Sequence, residues 1–112
     1  MKGGRFMKHF YAGTFMSKED LKNIGIDYPV KLEYYKTQPN IIARENIAEI
    51  KYGIEVIKTS YKKEKTKIEN SIIAAFTKDE SIVNKILDVL KRNEVTPVVA
   101  KYVVEDLLKE IG

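Results

Sequence analysis

Alternating hydrophobic and polar positions mark the middle of the chain. From residue 50 to residue 57, apolar side chains occupy every even position and polar or small ones most odd positions. This period of two is typical of a half-buried strand. Beyond the charged segment KKEK at 62–65, even spacing returns at Ile68, Ile72, Ala74 and Phe76. The pattern predicts a β-hairpin over about residues 50–76.

The same pattern predicts the register of this hairpin. Residues paired across antiparallel strands lie on one face, so the two apolar sets meet only if paired residue numbers have an even sum. That condition requires a loop with an odd number of residues around Lys62 to Glu64. A symmetrical four-residue loop at 62–65 would place Ile68 opposite Thr59, on the wrong face.

Two helical stripes follow the hairpin. Apolar residues recur at helical spacing over about residues 78–92 and 97–111, and Thr96-Pro97 is a typical helix start. The short connection between them predicts an αα-hairpin. Nearer the amino terminus, Ser17 with an acid three residues later resembles a capping box, and Gly25 a left-handed cap. These two signals predict a short helix at about residues 18–24.

Residues 30–35 alternate again and predict a further strand, whereas residues 41–49 are compatible with either a strand or a short helix. We expect one domain over residues 1–112, with an α+β fold. In this fold a small antiparallel sheet packs against the carboxy-terminal αα-hairpin. Residues 1–15 are expected to be flexible or partly derived from an expression vector.

The composition excludes several classes of chemistry. The 112 residues include no Cys and one His, which excludes disulfide frameworks, Cys-type zinc sites and thiol catalysis. His9 lacks a second histidine or a cysteine with which to bind a metal. We therefore predict no enzyme activity, no metal or other cofactor and no small-molecule substrate. Apolar runs are far shorter than the ~20 residues of a membrane span, and no secretory signal is expected, which favours the cytoplasm and no membrane partner.

The formal net charge of +4 is concentrated in one segment. Residues 58–67 contain five lysines and one glutamate, so this segment alone carries +4. It could bind nucleic acid phosphates or another anion, with a tyrosine stacking on a base. The favoured interpretation, however, is a solvated tip whose lysines protect the sheet from edge-to-edge aggregation. The candidate contact residues are Lys58, Tyr61, Lys62, Lys63, Lys65 and Lys67.

Apolar side chains exceed what one small core can cover. Tyr34-Tyr35 and Ile72-Ile73 place hydrophobic groups on both faces of their strands, and the amino-terminal segment adds Phe6, Phe10, Tyr11 and Phe15. Such a surplus on a small domain indicates a protein partner or a second copy of the chain. The predicted interface residues are Tyr34, Tyr35, Ile73, Val98 and Tyr102.

Three short segments carry a resemblance to known proteins. They are Tyr52-Gly53-Ile54-Glu55, then Val95-Thr96-Pro97, then Tyr102-Val103-Val104-Glu105-Asp106-Leu107. In this order they resemble a family of small uncharacterised clostridial (Firmicute) proteins of unknown function. The resemblance covers about residues 50–110 and implies two strands followed by two helices. It implies no activity and no site residue.

These observations favour a non-catalytic cytoplasmic binding or regulatory protein. It would act through protein–protein contacts, as a homodimer or with another protein. The alternative is a nucleic-acid-binding accessory protein that uses the lysine-rich hairpin tip.

Overall fold

The computed structural model describes residues 6–39 and 51–111. Four strands form one antiparallel sheet in the order β1-β2-β3-β4, and two long helices follow it in the chain. The predicted α+β fold is therefore confirmed. The element bounds are β1 Phe6–Met16, α1 Lys18–Leu21 with a 3₁₀ turn at Lys22–Ile24, β2 Val30–Pro39, β3 Tyr52–Tyr61, β4 Thr66–Thr77, α2 Glu80–Arg92 and α3 Pro97–Ile111.

The amino-terminal segment differs from the sequence prediction. Residues 6–15, for which we expected flexibility, form most of β1 and pair with β2. The segment lacks a clean alternation because the pairing shifts between Phe10 and Ala12, and because β1 is an edge strand with no deeply buried side chain. The alternative helix or strand at 41–49 lies outside the described residues.

Helix α1 begins and ends where local sequence signals predict. Ser17 Oγ accepts a hydrogen bond from the Asp20 backbone N–H at 3.1 Å, and the Ser17 backbone N–H donates to Asp20 Oδ2 at 2.9 Å. Hydrogen bonding with Ser17 lowers the pKa of Asp20 below its ordinary value, and the bond from the Ser17 backbone contributes most. Gly25 ends the 3₁₀ turn with a φ of 82°, in the left-handed region that glycine adopts without strain.

One side of the sheet and the two long helices enclose the hydrophobic core. Because side chains alternate along a strand, the even-numbered residues of β2 and β3 point to this side, which we call the core face. Helices α2 and α3 each present one apolar stripe to it. The largest fully buried side chains are Leu32, Tyr34, Ile54, Val56, Val83, Ile86, Leu87, Leu90 and Val104.

The predicted register of the β3–β4 hairpin is wrong. Tyr61 pairs with Thr66, so the loop has the four residues 62–65, and Thr59 lies opposite Ile68. Paired residue numbers therefore have an odd sum, and the even-numbered apolar residues Ile68 and Ile72 point away from the core. The prediction failed because it assumed that apolar residues of both strands share one face. In the structure Ile73 supplies the core contact opposite Ile54 instead.

Gly53 allows an unusually close approach of strands. The pairing of β3 with β4 shifts between Tyr52 and Ile54, which is a local bulge. A Cβ atom at Gly53 would lie 2.5 Å from the Ile73 carbonyl oxygen and 2.9 Å from Thr37 Oγ1. A side chain at this position would push β3 away from the backbone of β4 and from the Thr37 side chain.

Tyr34 connects the centre of the sheet to the turn between α2 and α3. Its side chain is fully buried, and its hydroxyl donates a hydrogen bond to the Val95 carbonyl oxygen at 2.8 Å. Burial, and secondarily the negative charge of Glu94, raises the pKa of Tyr34 far above its ordinary value. The phenol therefore remains protonated in the folded protein at pH values where an unfolded chain would lose the proton.

We expect Tyr34→Phe to lower the free energy of unfolding by about 1–3 kcal/mol at neutral pH, because the buried Val95 carbonyl loses its donor. The wild-type protein should also lose stability as the pH rises above about 10, where an unfolded tyrosine ionises and the folded one does not. Tyr34→Phe should make that alkaline loss shallower. Urea unfolding at pH 7 and across the alkaline range measures both effects. An equal alkaline loss in the two proteins would contradict this account of Tyr34.

The two faces of the sheet should differ sharply in their contribution to stability. Ile54→Ala removes a fully buried side chain and should cost about 2–5 kcal/mol of unfolding free energy. Ile72→Ala removes a side chain that is 52% exposed, on the opposite face of the neighbouring strand, and should cost less than about 1 kcal/mol. Urea unfolding of this matched pair checks the assignment of the faces. Similar costs for the two variants would refute it.

Candidate protein-binding face

Both long helices pack on the core face, which leaves the other side of the sheet uncovered by α2 and α3. The strand pairing places on this side the odd-numbered residues of β2 and β3, together with their partners in β1 and β4. We call this side the open face. Its larger side chains, from β1 to β4, are Lys8, Phe10 and Phe15; Lys31, Glu33, Tyr35 and Thr37; Glu55, Ile57, Thr59 and Tyr61; Thr66, Ile68, Asn70 and Ile72.

Two stripes of exposed apolar side chains follow the edges of the open face. On β1, Phe10 and Phe15 are 60% and 59% exposed, and on β4, Ile68 and Ile72 are 67% and 52% exposed. We call these pairs the β1 stripe and the β4 stripe. Clusters of large exposed apolar side chains separated by polar groups are typical of protein-contact surfaces.

Between the stripes, charged groups are paired within the chain. Glu55 is buried on β3, where its carboxylate lies 3.2 Å from Lys8 Nζ and accepts a hydrogen bond from Asn70 Nδ2 at 2.9 Å. Lys8 Nζ also lies 4.8 Å from the centre of the Tyr35 ring. The Phe10 ring packs against that same tyrosine ring in a T-shaped arrangement, at a centroid distance of 5.6 Å. The four strands are thus joined across the open face by polar and aromatic contacts.

A second group of paired charges lies nearer the hairpin tip. Lys31 Nζ is 3.8 Å from Glu33 Oε1, and the Tyr35 hydroxyl donates to Glu33 Oε2 at 3.1 Å. A hydrogen bond with Tyr61, and then the charge of Glu33, raises the pKa of Lys31. Burial, and then the hydrogen bond to Glu33, raises the pKa of Tyr35. The central charges of the open face therefore largely neutralise one another.

The structure separates the five predicted interface residues into three environments. Tyr34 is fully buried, so it has no surface to offer a partner of the folded protein. Ile73 is partly buried and packs against the core, so its predicted contact with a partner stays a prediction. Strand alternation places Tyr35 on the open face instead. Val98 and Tyr102 are 73% and 66% exposed, one turn apart on α3.

The lysine-rich segment forms the tip of the β3–β4 hairpin, but its lysines do not form one cluster. Lys58 Nζ and Lys67 Nζ lie 4.0 Å and 3.9 Å from the carboxylate of Glu69. At the tip itself, Lys62 Nζ lies 5.5 Å from the centre of the Tyr28 ring. Tyr61 lies beside Phe15 on the open face, with ring centroids 6.4 Å apart. The exposed cations at the tip are Lys62, Lys63 and Lys65.

A half-open cleft of about 460 Å³ lies beside the α2–α3 turn, between α1 and the start of β2. Its wall includes Leu21 and Val30, whereas Asp20, Lys58 and Asn93 supply polar groups. Three polar groups of the wall already have partners in the chain: Asp20 caps α1, Asn93 donates to the Val89 carbonyl, and Lys58 faces Glu69. The other polar residues of the wall are Glu94 and Thr96. The cleft is therefore a weaker candidate site than the open face.

Two further findings limit the chemistry of the described residues. Within 6–39 and 51–111, His, Asp and Glu side chains form no group of three or more that could hold a metal ion. In the same part of the chain, no helix is long and apolar enough to cross a membrane. The arrangement on the open face is suited to binding through apolar area and polar contacts.

Sequence reasoning missed Ile68 as a surface residue and did not select Phe10 or Phe15 for the interface. The available signal was the element order, since two helices that follow a sheet and form one hairpin cover only one of its sides. In such a fold, the adjacent apolar pairs Tyr34-Tyr35 and Ile72-Ile73 indicate a second, uncovered face.

Comparison with known proteins gives one match. No curated protein and no solved structure matches the chain. The profile of a family of unknown function (DUF6514) matches residues 16–110, which extends the resemblance seen over residues 50–110 toward the amino terminus. The matched region includes β2, β3, β4 and both long helices, and it leaves out most of β1. The chain therefore belongs to this family of unknown function, DUF6514.

Proposed function

We propose that this protein is a non-catalytic binding protein whose open face docks against the surface of another protein molecule. The observation that supports this proposal most strongly is the pair of apolar stripes, whose four side chains are each more than half exposed. Leaving large apolar groups in water has a cost that is recovered when a partner covers them.

The charges of the open face favour a protein surface over a nucleic acid. Its two lysines, Lys8 and Lys31, already lie beside Glu55 and Glu33. These two lysines and two carboxylates have no net charge, so the open face would not attract a polyanion such as a nucleic acid. A protein surface with apolar patches can cover the stripes and leave the internal ion pairs intact.

The open face also carries more large exposed apolar side chains than the surface of α3 at its first turns. Val98 and Tyr102, together with the less exposed Val99, form a small patch. Charged residues on the same helix are Lys101, Glu105 and Lys109. The open face offers the four stripe residues together with two aromatic contacts between strands. We therefore propose that the main contact lies on the sheet. As the sequence analysis favours, we also propose that the protein is cytoplasmic and of clostridial origin.

Photo-crosslinking in cells tests this proposal. Phe10 and Phe15 are replaced one at a time by a photoreactive phenylalanine analogue, and Tyr102 on α3 serves as the matched exposed aromatic control. We expect discrete crosslinked protein adducts from positions 10 and 15, because these side chains would contact the partner directly. Denaturing gel electrophoresis and mass spectrometry measure the adducts.

Comparison of the open-face positions 10 and 15 with position 102 on α3 makes the result decisive. Adducts from positions 10 and 15 that disappear when Ile72→Lys is added would support docking on the open face. Adducts from position 102 alone, or from none of the three positions, would contradict it.

A second candidate function is favoured by the hairpin tip. Lys62, Lys63 and Lys65 are exposed around an open cleft whose wall also includes Tyr28 and the acidic residues Asp27 and Glu64. Lysines close to an aromatic ring are typical of sites that bind single-stranded nucleic acid through phosphate contacts and base stacking. We infer that any nucleic acid binding by this protein would use these residues.

The triple variant Lys62→Gln, Lys63→Gln and Lys65→Gln tests this second function. If the tip binds a single-stranded oligouridine, the variant should bind at least tenfold more weakly, and its salt slope should fall by about two. Fluorescence anisotropy across a salt series measures both. The matched control changes the exposed lysines Lys85, Lys91 and Lys101 to glutamine, with the same loss of charge. Equal binding by the two triple variants would eliminate the tip as a specific site.

A further inference from the structure

We propose that the partner that covers the open face is a second copy of this chain, related by a two-fold axis parallel to the strands. This inference rests on the proposed function, because it names the protein that the open face binds. Its basis is the register of the sheet, which makes the open face complementary to itself.

The complementarity follows from two rows of paired residues that cross all four strands. One row begins with Phe15 on β1 and ends with Ile68 on β4, through Lys31 and Thr59. The next apolar row begins with Phe10 and ends with Ile72, through Tyr35 and Glu55. Each row thus has an aromatic ring at one edge of the sheet and an isoleucine at the other.

A two-fold axis between two stacked sheets and parallel to their strands preserves each row and reverses its direction. The β1 stripe of one copy then faces the β4 stripe of the other. Phe15 meets the partner's Ile68, and Phe10 meets the partner's Ile72. Because the interface is isologous, each of these contacts occurs twice, and all four stripe residues of both copies are covered. Sheets packed in this way are about 10 Å apart, with strand directions within about 30°.

The alternative axis, perpendicular to the strands, is disfavoured by charge. Glu33 lies in the row midway between the two apolar rows. The perpendicular axis would therefore place Glu33 against the same residue of the partner in a partly desolvated interface, where like charges repel strongly. The parallel axis instead places Glu33 opposite the partner's Ile57 and leaves its contacts with Lys31 and Tyr35 intact.

The size of the face is adequate for a specific dimer. Four strands about 4.8 Å apart, with a strand length of about 27 Å between the first and last side chains, give roughly 500 Å² on each copy. The two copies together would bury roughly 1,000 Å², which is the lower range of specific interfaces. A dimer of moderate affinity is therefore expected.

The same axis predicts an unusual dependence on salt. It brings the two lysine-rich tips to one end of the dimer, roughly 14 Å apart from the sheet and strand spacings. Repulsion between exposed charges at this separation is screened at physiological ionic strength but not at low salt. We therefore expect the dimer to tighten as salt is added. A perpendicular axis would place the tips at opposite ends and predicts no such gain.

Sedimentation equilibrium of the purified full chain tests the dimer and its surface. Phe10→Lys and Ile72→Lys should each raise the dimer Kd by about 30-fold or more, because each places a charge in an apolar contact that occurs twice in the dimer. Val98→Lys, which introduces the same charge at an exposed apolar residue of α3, should leave the Kd within about twofold. Far-ultraviolet circular dichroism verifies that each variant is folded. The tip variant Lys62→Gln, Lys63→Gln and Lys65→Gln should tighten the dimer at low salt.

Crosslinking through introduced cysteines tests the register, since the chain has no native cysteine. A short bismaleimide is used because packed sheets hold facing residues beyond the reach of a disulfide. A mixture of Phe15→Cys and Ile68→Cys chains should crosslink, whereas a mixture of Phe15→Cys and Phe10→Cys chains should not. The reverse pattern would identify the perpendicular axis and overturn the proposed register.

The remaining outcomes separate this inference from the proposed function. A purified protein that stays monomeric, while positions 10 and 15 crosslink to a different protein in cells, would overturn the homodimer and leave the binding function intact. A monomer without such adducts would overturn both. A dimer insensitive to Phe10→Lys and Ile72→Lys would show that another surface mediates association. If a nucleic acid co-purified with the wild-type chain and not with Phe10→Ser, the partner of the open face would be a polyanion and not a protein.

Discussion

A single layer of helices covers only one side of a sheet, while every strand presents side chains to both sides. In this chain both long helices follow β4 and are joined by a short turn, so they remain together on the core face. The topology itself therefore leaves the open face uncovered by these helices. Its residues supply little of the core, and the sequence has placed four large apolar side chains among them, each more than half exposed.

The strand that fixes the helix pair also supplies the centre of the open face. Tyr34 on β2 reaches inward to the Val95 carbonyl in the α2–α3 turn, and Lys36 donates to Asn84 of α2 at 3.1 Å. The alternate residues Glu33 and Tyr35 face outward and hydrogen-bond to each other. Strand β2 thus contributes both to the packing of the helices and to the open face. A one-residue shift in its register would exchange its core-facing and outward-facing side chains.

Features determined by neighbouring residues were predictable from the sequence, and features determined by distant pairing were not. The capping box at Ser17, the left-handed Gly25 and helix 97–111 depend on local geometry. The side on which Ile68 lies depends on the loop length of the β3–β4 hairpin, and apolar pattern alone misassigned it. The strand over residues 6–15 forms only through pairing with β2, whose partner residues are up to 33 positions away along the chain.

The paired charges between the apolar stripes have a different role from the stripes themselves. Apolar side chains contribute area but accept many orientations of a partner, because the hydrophobic effect has no direction. A buried carboxylate such as Glu55, held by Lys8 and Asn70, tolerates only an arrangement that leaves these contacts in place. Glu33 acts in the same sense, since a like charge placed opposite it is costly. In the proposed dimer, the stripes would therefore provide the driving force for association, and the central charges would restrict it to one orientation.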